Sequence, residues 1–122
     1  MFLVASGGAV GAMLRFGIGN ITKILTQNSF YGTLTVNILG SFLIGYLISI
    51  GYIKNLSNEF IRYFLIIGFL GSFTTFSAFS YEVIELYLSR KILLSFLYIL
   101  FTVTICVVAA YLGMYINKFW LK

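Results

Sequence analysis

Four long apolar stretches, separated by short polar ones, set the pattern of this chain. They run from Phe2 to about Asn20, Thr33 to about Tyr52, Tyr63 to about Leu86 and Ile92 to about Ile116. Between them lie the polar stretches Thr22–Phe30, Lys54–Arg62 and Leu88–Lys91. Crossing the hydrocarbon core of a bilayer takes roughly 20 mostly apolar residues as a helix, so each stretch predicts one membrane span. A barrel of strands would show shorter segments of alternating character instead. Four helices use nearly the whole chain, and the expectation is one all-α transmembrane domain over residues 1–122.

Composition agrees. Of 122 residues, 61% are hydrophobic and 9% charged, with mean hydropathy +1.03. A soluble domain is about 25% charged because it must present a wettable surface, and eleven charged side chains, eight basic and three acidic, cannot do that here. Met1–Leu14 carries no charge, whereas a signal peptide has a basic region ahead of its apolar stretch; the first run is expected to stay as a permanent helix. The net charge of +5 sits beside apolar spans, where it suits anionic lipid headgroups rather than nucleic acid. Counted by side, Lys54, Arg62, Lys118 and Lys122 face Lys23, Arg90, Lys91 and Arg15, the last if it lies near the end of the first span. Four against four gives no orientation signal, so insertion both ways is expected.

There is no histidine, which removes histidine-based metal sites and proton switches. The acids are Glu59 in a loop and Glu82 and Glu85 near the end of the third span. Membrane-embedded carboxylates are the usual relays of proton-coupled pumps, and their scarcity argues for a conduit or scaffold, with no pair for acid–base catalysis. The interior does contain uncharged donors. Asn37 lies near the front of the second span, with Thr33 one turn earlier on the same face. An unpaired amide in hydrocarbon costs on the order of 4–8 kcal/mol, so Asn37 either ties helices together or turns its donors toward an anion.

The third span interrupts its apolar run with Gly68 and Gly71, then Ser72, Thr74, Thr75, Ser77 and Ser80. Proline is absent, so a break must come from glycine or from polar residues inserted in the ladder. Non-helical backbone is tolerated in a membrane only where protein or a cavity satisfies it, and freed carbonyls at such a break can hold a small cation. The expectation is a third helix broken near its centre; a merely kinked helix is the alternative. Phe76 and Phe79 lie three apart just after that point, and their ring edges carry partial positive charge. In the fourth span Tyr98, Thr102 and Cys106 fall four apart along one stripe. Cys106 reads as a small buried apolar residue. Glycines and alanines four apart, Gly7–Gly11 and Ala109–Gly113, read as close helix contacts.

Three motifs together resemble the CrcB/Fluc fluoride channels: Gly7-Gly-Ala-Val-Gly-Ala-Met-Leu-Arg15-Phe; Gly32-Thr-Leu with Asn37 and Gly40; and Gly68, Gly71, Thr74-Thr75-Phe76-Ser77, Phe79-Ser80 and Glu82. The resemblance spans essentially the whole chain. It implies an antiparallel, dual-topology homodimer in the cell inner membrane, with two pores that let fluoride leave passively and confer fluoride resistance. It implies further that Asn37, Phe76 and Phe79 line the ion path with Thr33 and Ser77, that Tyr98 and Thr102 line it on the fourth helix, and that Arg15 stands at the vestibule entrance. By the same resemblance, backbone carbonyls of Gly71 and Thr74 hold a central structural sodium ion, with no organic cofactor. Ala78 replaces a threonine often found between Ser77 and Phe79 in the family, which removes one hydroxyl. A small multidrug-type transporter would need a carboxylate in the first span, where there is none; a non-transporting assembly subunit would need neither Asn37 nor a broken third span.

Overall fold

The computed structural model describes residues 1–54 and 58–120, with side chains placed for residues 1–50 and 58–116. Lys54, Lys118 and Lys122, three of the four basic residues expected on one side, fall outside the described side chains. The chain forms α1 (Phe2–Thr26), α2 (Phe30–Lys54), α3 (a π-helix over Phe60–Leu70 continued by one α turn, Gly71–Phe73), α4 (Phe76–Leu88) and α5 (Ile92–Trp120). Among the described residues, four helical units are long and apolar enough to cross a membrane, the third being α3 and α4 together over Phe60–Leu88.

The helices outrun the apolar stretches that predict them. Nothing in Ile21–Thr26 breaks a helix, so α1 continues until Gln27 turns left-handed at φ 57° and its N–H closes on the Lys23 carbonyl. Asn28 then accepts from the Phe30 N–H at 3.0 Å and starts α2. The extension changes one expectation. Arg15 lies eleven residues before the end of α1, about 16 Å from that end at 1.5 Å per residue, so it is a mid-helix residue and not a flanking one.

The contacts between helices are made largely by backbone against backbone. A Cβ on Gly7 or Gly11 would run into the carbonyl oxygens of Phe64 and Phe69. Four residues on α1 are thus matched by five on α3, the spacing that a π-wound segment with its i→i+5 bonds supplies. On the other side of the bundle, a Cβ on Gly45 would meet the Ala110 carbonyl, and one on Gly113 the Phe42 carbonyl. Gly7, Gly11 and Gly113 of the small-residue pairs read from the sequence are therefore contact points, as small residues in membrane helices commonly are, and Ala109 is buried. Side-chain burial is sparse by comparison: among the described side chains only Val36 is almost completely enclosed.

Gly45→Ala places a methyl group against the Ala110 carbonyl, and overpacking of this kind costs about 1–3 kcal/mol. The expected result is a lower melting temperature in detergent and a smaller monodisperse fraction. An unchanged melting temperature would show that α2 and α5 are not pressed together there.

Candidate functional site

The third span is broken between α3 and α4, and the break is not made by glycine. Gly71 is helical at φ −61°, ψ −30°. The residues that leave the helix are Thr74 (φ −80°, ψ 157°) and Thr75 (φ −148°, ψ 115°). Asn37 of α2 holds them there by completing both polar groups of one peptide unit's residue. Its Oδ1 accepts from the Thr75 N–H at 2.8 Å, and its Nδ2 donates to the Thr75 carbonyl at 3.0 Å. The Thr75 hydroxyl in turn accepts from the Ala78 N–H at 3.1 Å and caps α4. Gly40 makes room for this, since a Cβ there would collide with the Thr74 methyl group.

These bonds have a consequence for two carbonyls. In an unbroken helix Thr75 N–H would donate to the Gly71 carbonyl and Ala78 N–H to the Thr74 carbonyl. Asn37 and the Thr75 hydroxyl take those donors instead, so both carbonyls lose their ladder partners. Oxygen donors of this kind suit a small hard cation. Among the described residues no group of three histidine, cysteine or carboxylate side chains offers an alternative metal site.

Two cavities meet at the break, and Thr75 borders both. The first, about 490 Å³, is lined by Asn37, Phe76, Phe79, Thr102 and Cys106, with Gly71 and Thr74 at its edge. Its lining contains no charged side chain. The Thr102 hydroxyl is buried there without a hydrogen-bond partner, and Asn37 keeps one of its two N–H donors uncommitted, since a single bond from Nδ2 is made. Phe79 is buried, whereas Phe76 is 77% exposed on the flank of the subunit; the ring centroids lie 5.5 Å apart at 52°. The second cavity, about 600 Å³, is lined by Arg15, Lys23, Thr33, Ala78 and Glu82. Arg15 and Thr33 are therefore brought together on the second cavity, whose lining does not include Asn37.

The remaining expected residues adjoin this group: the Tyr98 ring centroid lies 5.4 Å from that of Phe79. Tyr98 borders a third cavity of about 330 Å³ with Lys91 and Phe101, and Ser77 is exposed, its hydroxyl 3.2 Å from that of Thr75. Glu82 is the residue that sequence reasoning missed. It is only 4% exposed, its Oε1 accepts from the Thr33 hydroxyl and its Oε2 from the Tyr98 hydroxyl, each at 2.6 Å. A carboxylate taken as marking the end of a span thus lies inside the bundle. A hydroxyl carries one proton, so Thr33 and Tyr98 give theirs to Glu82 in this arrangement. The signal available was helical spacing: Phe79, Glu82 and Leu86 fall on one buried face of α4 at the i, i+3, i+7 interval of an inward stripe.

A family model described as CrcB-like protein, Camphor Resistance (CrcB), matches residues 2–114. The chain belongs to the CrcB family. Several curated relatives of this CrcB chain carry the name fluoride-specific ion channel FluC. The protein from Campylobacter jejuni strain RM1221 is 44% identical over 119 residues, covering 97% of each chain. That from Dehalococcoides mccartyi strain CBDB1 is 40% identical over 119 residues, covering 97% of this chain and 92% of its own. FluC 2 of Clostridium acetobutylicum is 40% identical over 118 residues, covering 96% and 97%.

Asn37→Leu keeps the volume near α3 but leaves the Thr75 N–H and carbonyl unpaired, each costing about 1–3 kcal/mol. The variant of this CrcB protein is expected to unfold at lower SDS concentration than the wild type, whereas Ser77→Ala should shift that midpoint little. Equal midpoints for Asn37→Leu and wild type would show that the amide does not hold the break.

Proposed function

We propose that two copies of this chain, inserted antiparallel, form a fluoride-selective channel with two pores. It would sit in the cell inner membrane, let fluoride leave down its electrochemical gradient and so confer fluoride resistance. The observation that carries the reading is the meeting of two unlike cavities at Thr75, one bearing cations and one lined by uncharged donors and phenyl rings. The names of the FluC relatives support the same substrate.

A fluoride ion would be drawn first toward Arg15 and Lys23 in the second cavity, where two cations against the single Glu82 carboxylate leave a net positive charge that raises the local anion concentration. Beyond Thr75, water is replaced stepwise by the free N–H of Asn37, the hydroxyl of Thr102 and the positive ring edges of Phe76 and Phe79. None of these carries a full charge, so the ion is stabilised without being trapped, as conduction requires. Fluoride, small and a strong acceptor, gains more from such donors than chloride does. Thr33, Tyr98 and Ser77 contribute indirectly, the first two by engaging Glu82 and Ser77 by supporting Thr75.

The dimer explains what one subunit leaves incomplete. Phe76 stands 77% exposed beside the narrow cavity, and a second copy would close that flank. With Arg15 inside α1, three basic residues flank the spans on one side and four on the other, too small a bias to fix one orientation. The Gly71 and Thr74 carbonyls are fitted to hold a structural sodium ion at the dimer centre, where its fixed positive charge would offset the two broken helices' exposed oxygens.

Efflux from liposomes containing the purified protein tests this directly. Fluoride should leave rapidly while chloride is retained, and Thr102→Val should slow fluoride by an order of magnitude without loss of the folded dimer; Phe76→Ile should do likewise. A folded, reconstituted protein that passes no fluoride, or passes chloride as fast, would contradict the proposal.

A further inference from the structure

The geometry points to a groove for one anionic phospholipid, of the phosphatidylglycerol class, at the turn from α4 into α5. The cavity of about 330 Å³ that Lys91 borders shares no lining residue with either cavity at the break. The groove is thus separate from the proposed ion path and does not depend on fluoride passage. At this end of the bundle α1 and α4 end while α2 and α5 begin, so the cavity's mouth lies at one membrane surface.

The mouth is polar and cationic. Lys91 is exposed and is the one charged side chain of the lining, with no carboxylate beside it. Its ammonium offers three donors. Asn28 lies there too. Its Oδ1 is taken by the Phe30 N–H at 3.0 Å, which leaves the amide N–H groups for a phosphate oxygen. Tyr31 stands beside them, exposed, at a level where tyrosine suits the membrane interface. The backbone under Lys91 is tied down. Arg90 turns left-handed at φ 59°, the Lys91 N–H donates to the Leu86 carbonyl at 3.0 Å, and the Lys91 carbonyl accepts from the Ser95 N–H at 2.9 Å. The Ser95 hydroxyl in turn donates to the Val83 carbonyl at 3.0 Å, joining α5 to α4.

Below the mouth the wall is apolar, formed by Leu34, Leu86, Leu94 and Phe101 with the ring of Tyr98. The Tyr98 hydroxyl is committed to Glu82, which does not line this cavity, so Tyr98 offers it carbon. Phe101 lies nine residues beyond the start of α5, about 14 Å at 1.5 Å per residue. That is about half of a hydrocarbon core roughly 30 Å thick, the depth reached by the acyl chains of one leaflet. A soluble anion would use the mouth and leave the wall bare. A zwitterionic lipid would bring a cation of its own toward Lys91. A lipid with net negative charge uses both parts, and basic pockets between membrane helices take headgroups of that kind.

The test is native mass spectrometry of the full-length protein in detergent, equilibrated with dioleoylphosphatidylglycerol or, separately, dioleoylphosphatidylcholine. Wild type should retain one phosphatidylglycerol per chain and much less phosphatidylcholine. Lys91→Gln should lower phosphatidylglycerol retention about fivefold, the effect of one basic residue beside an anionic headgroup, and Lys91→Arg should restore it. Arg62→Gln removes the same charge at the opposite end of the bundle and should change nothing. Leu94→Trp, which fills the groove with Lys91 intact, should also lower retention. Lys91 and Leu94 are both exposed, so these variants should keep the wild-type melting temperature. Equal retention of the two lipids, or full retention by Lys91→Gln or Leu94→Trp, would overturn the inference. So would a loss in Arg62→Gln as large as in Lys91→Gln, or displacement of the lipid by millimolar inorganic phosphate, which would mark a site for the anion alone.

Discussion

The arrangement depends on one side chain bonding to both ends of one residue in another helix. Asn37 takes the N–H of Thr75 and supplies a donor to its carbonyl. Interior backbone groups left unpaired cost about 1–3 kcal/mol each even by protein mutational measures, and in hydrocarbon more. Without Asn37 the cheapest solution for α3 and α4 would be a continuous helix. With it, the chain runs extended through Thr74 and Thr75, α4 starts afresh with its own cap, and two carbonyls are released. The same amide borders the narrow cavity with one N–H to spare. The interhelical tie and the anion donor, alternatives when the sequence is read alone, are compatible roles of one group with an acceptor oxygen and two N–H donors to place.

Everything around that contact keeps the backbones close enough for it to form. Gly40 admits the Thr74 methyl group, Gly45 and Gly113 bring α2 and α5 together, and Gly7 and Gly11 seat α1 on the widened winding of α3. Packing of this type encloses few side chains. Phe76 is 77% exposed while Phe79 is 6% exposed, so the two rings divide between the surface of the bundle and its interior.

The four spans were legible because hydropathy is a local property, and the position of the break was legible because Ser72, Thr74 and Thr75 cluster where a span should be apolar. Its cause was not. Glycine and polar residues in the ladder were the two local explanations; Gly71 stays helical, and the polar group that takes the Thr75 N–H comes from a residue 38 positions away. Glu82 was misplaced for a related reason. Its distance from the end of an apolar run suggested a flank, whereas its partners, Thr33 and Tyr98, come from helices on either side of it in sequence. Helix ends were also shortened, since Ile21–Thr26 is polar enough to look like a loop yet contains nothing that stops a helix. Local composition carries the elements; long-range pairing of polar groups carries the site.

The central claim, that Asn37 holds the break with its Oδ1 and one N–H while offering its second N–H to fluoride, can be measured by NMR. Protein labelled with ¹⁵N at asparagine and threonine would be titrated with fluoride and, separately, with chloride. The account predicts that the Asn37 side-chain amide resonances move with fluoride and not with chloride, while the Thr75 N–H stays in place because its bond to Oδ1 is kept. An Asn37 amide indifferent to fluoride, or a Thr75 N–H that shifts as far as the side chain does, would contradict it.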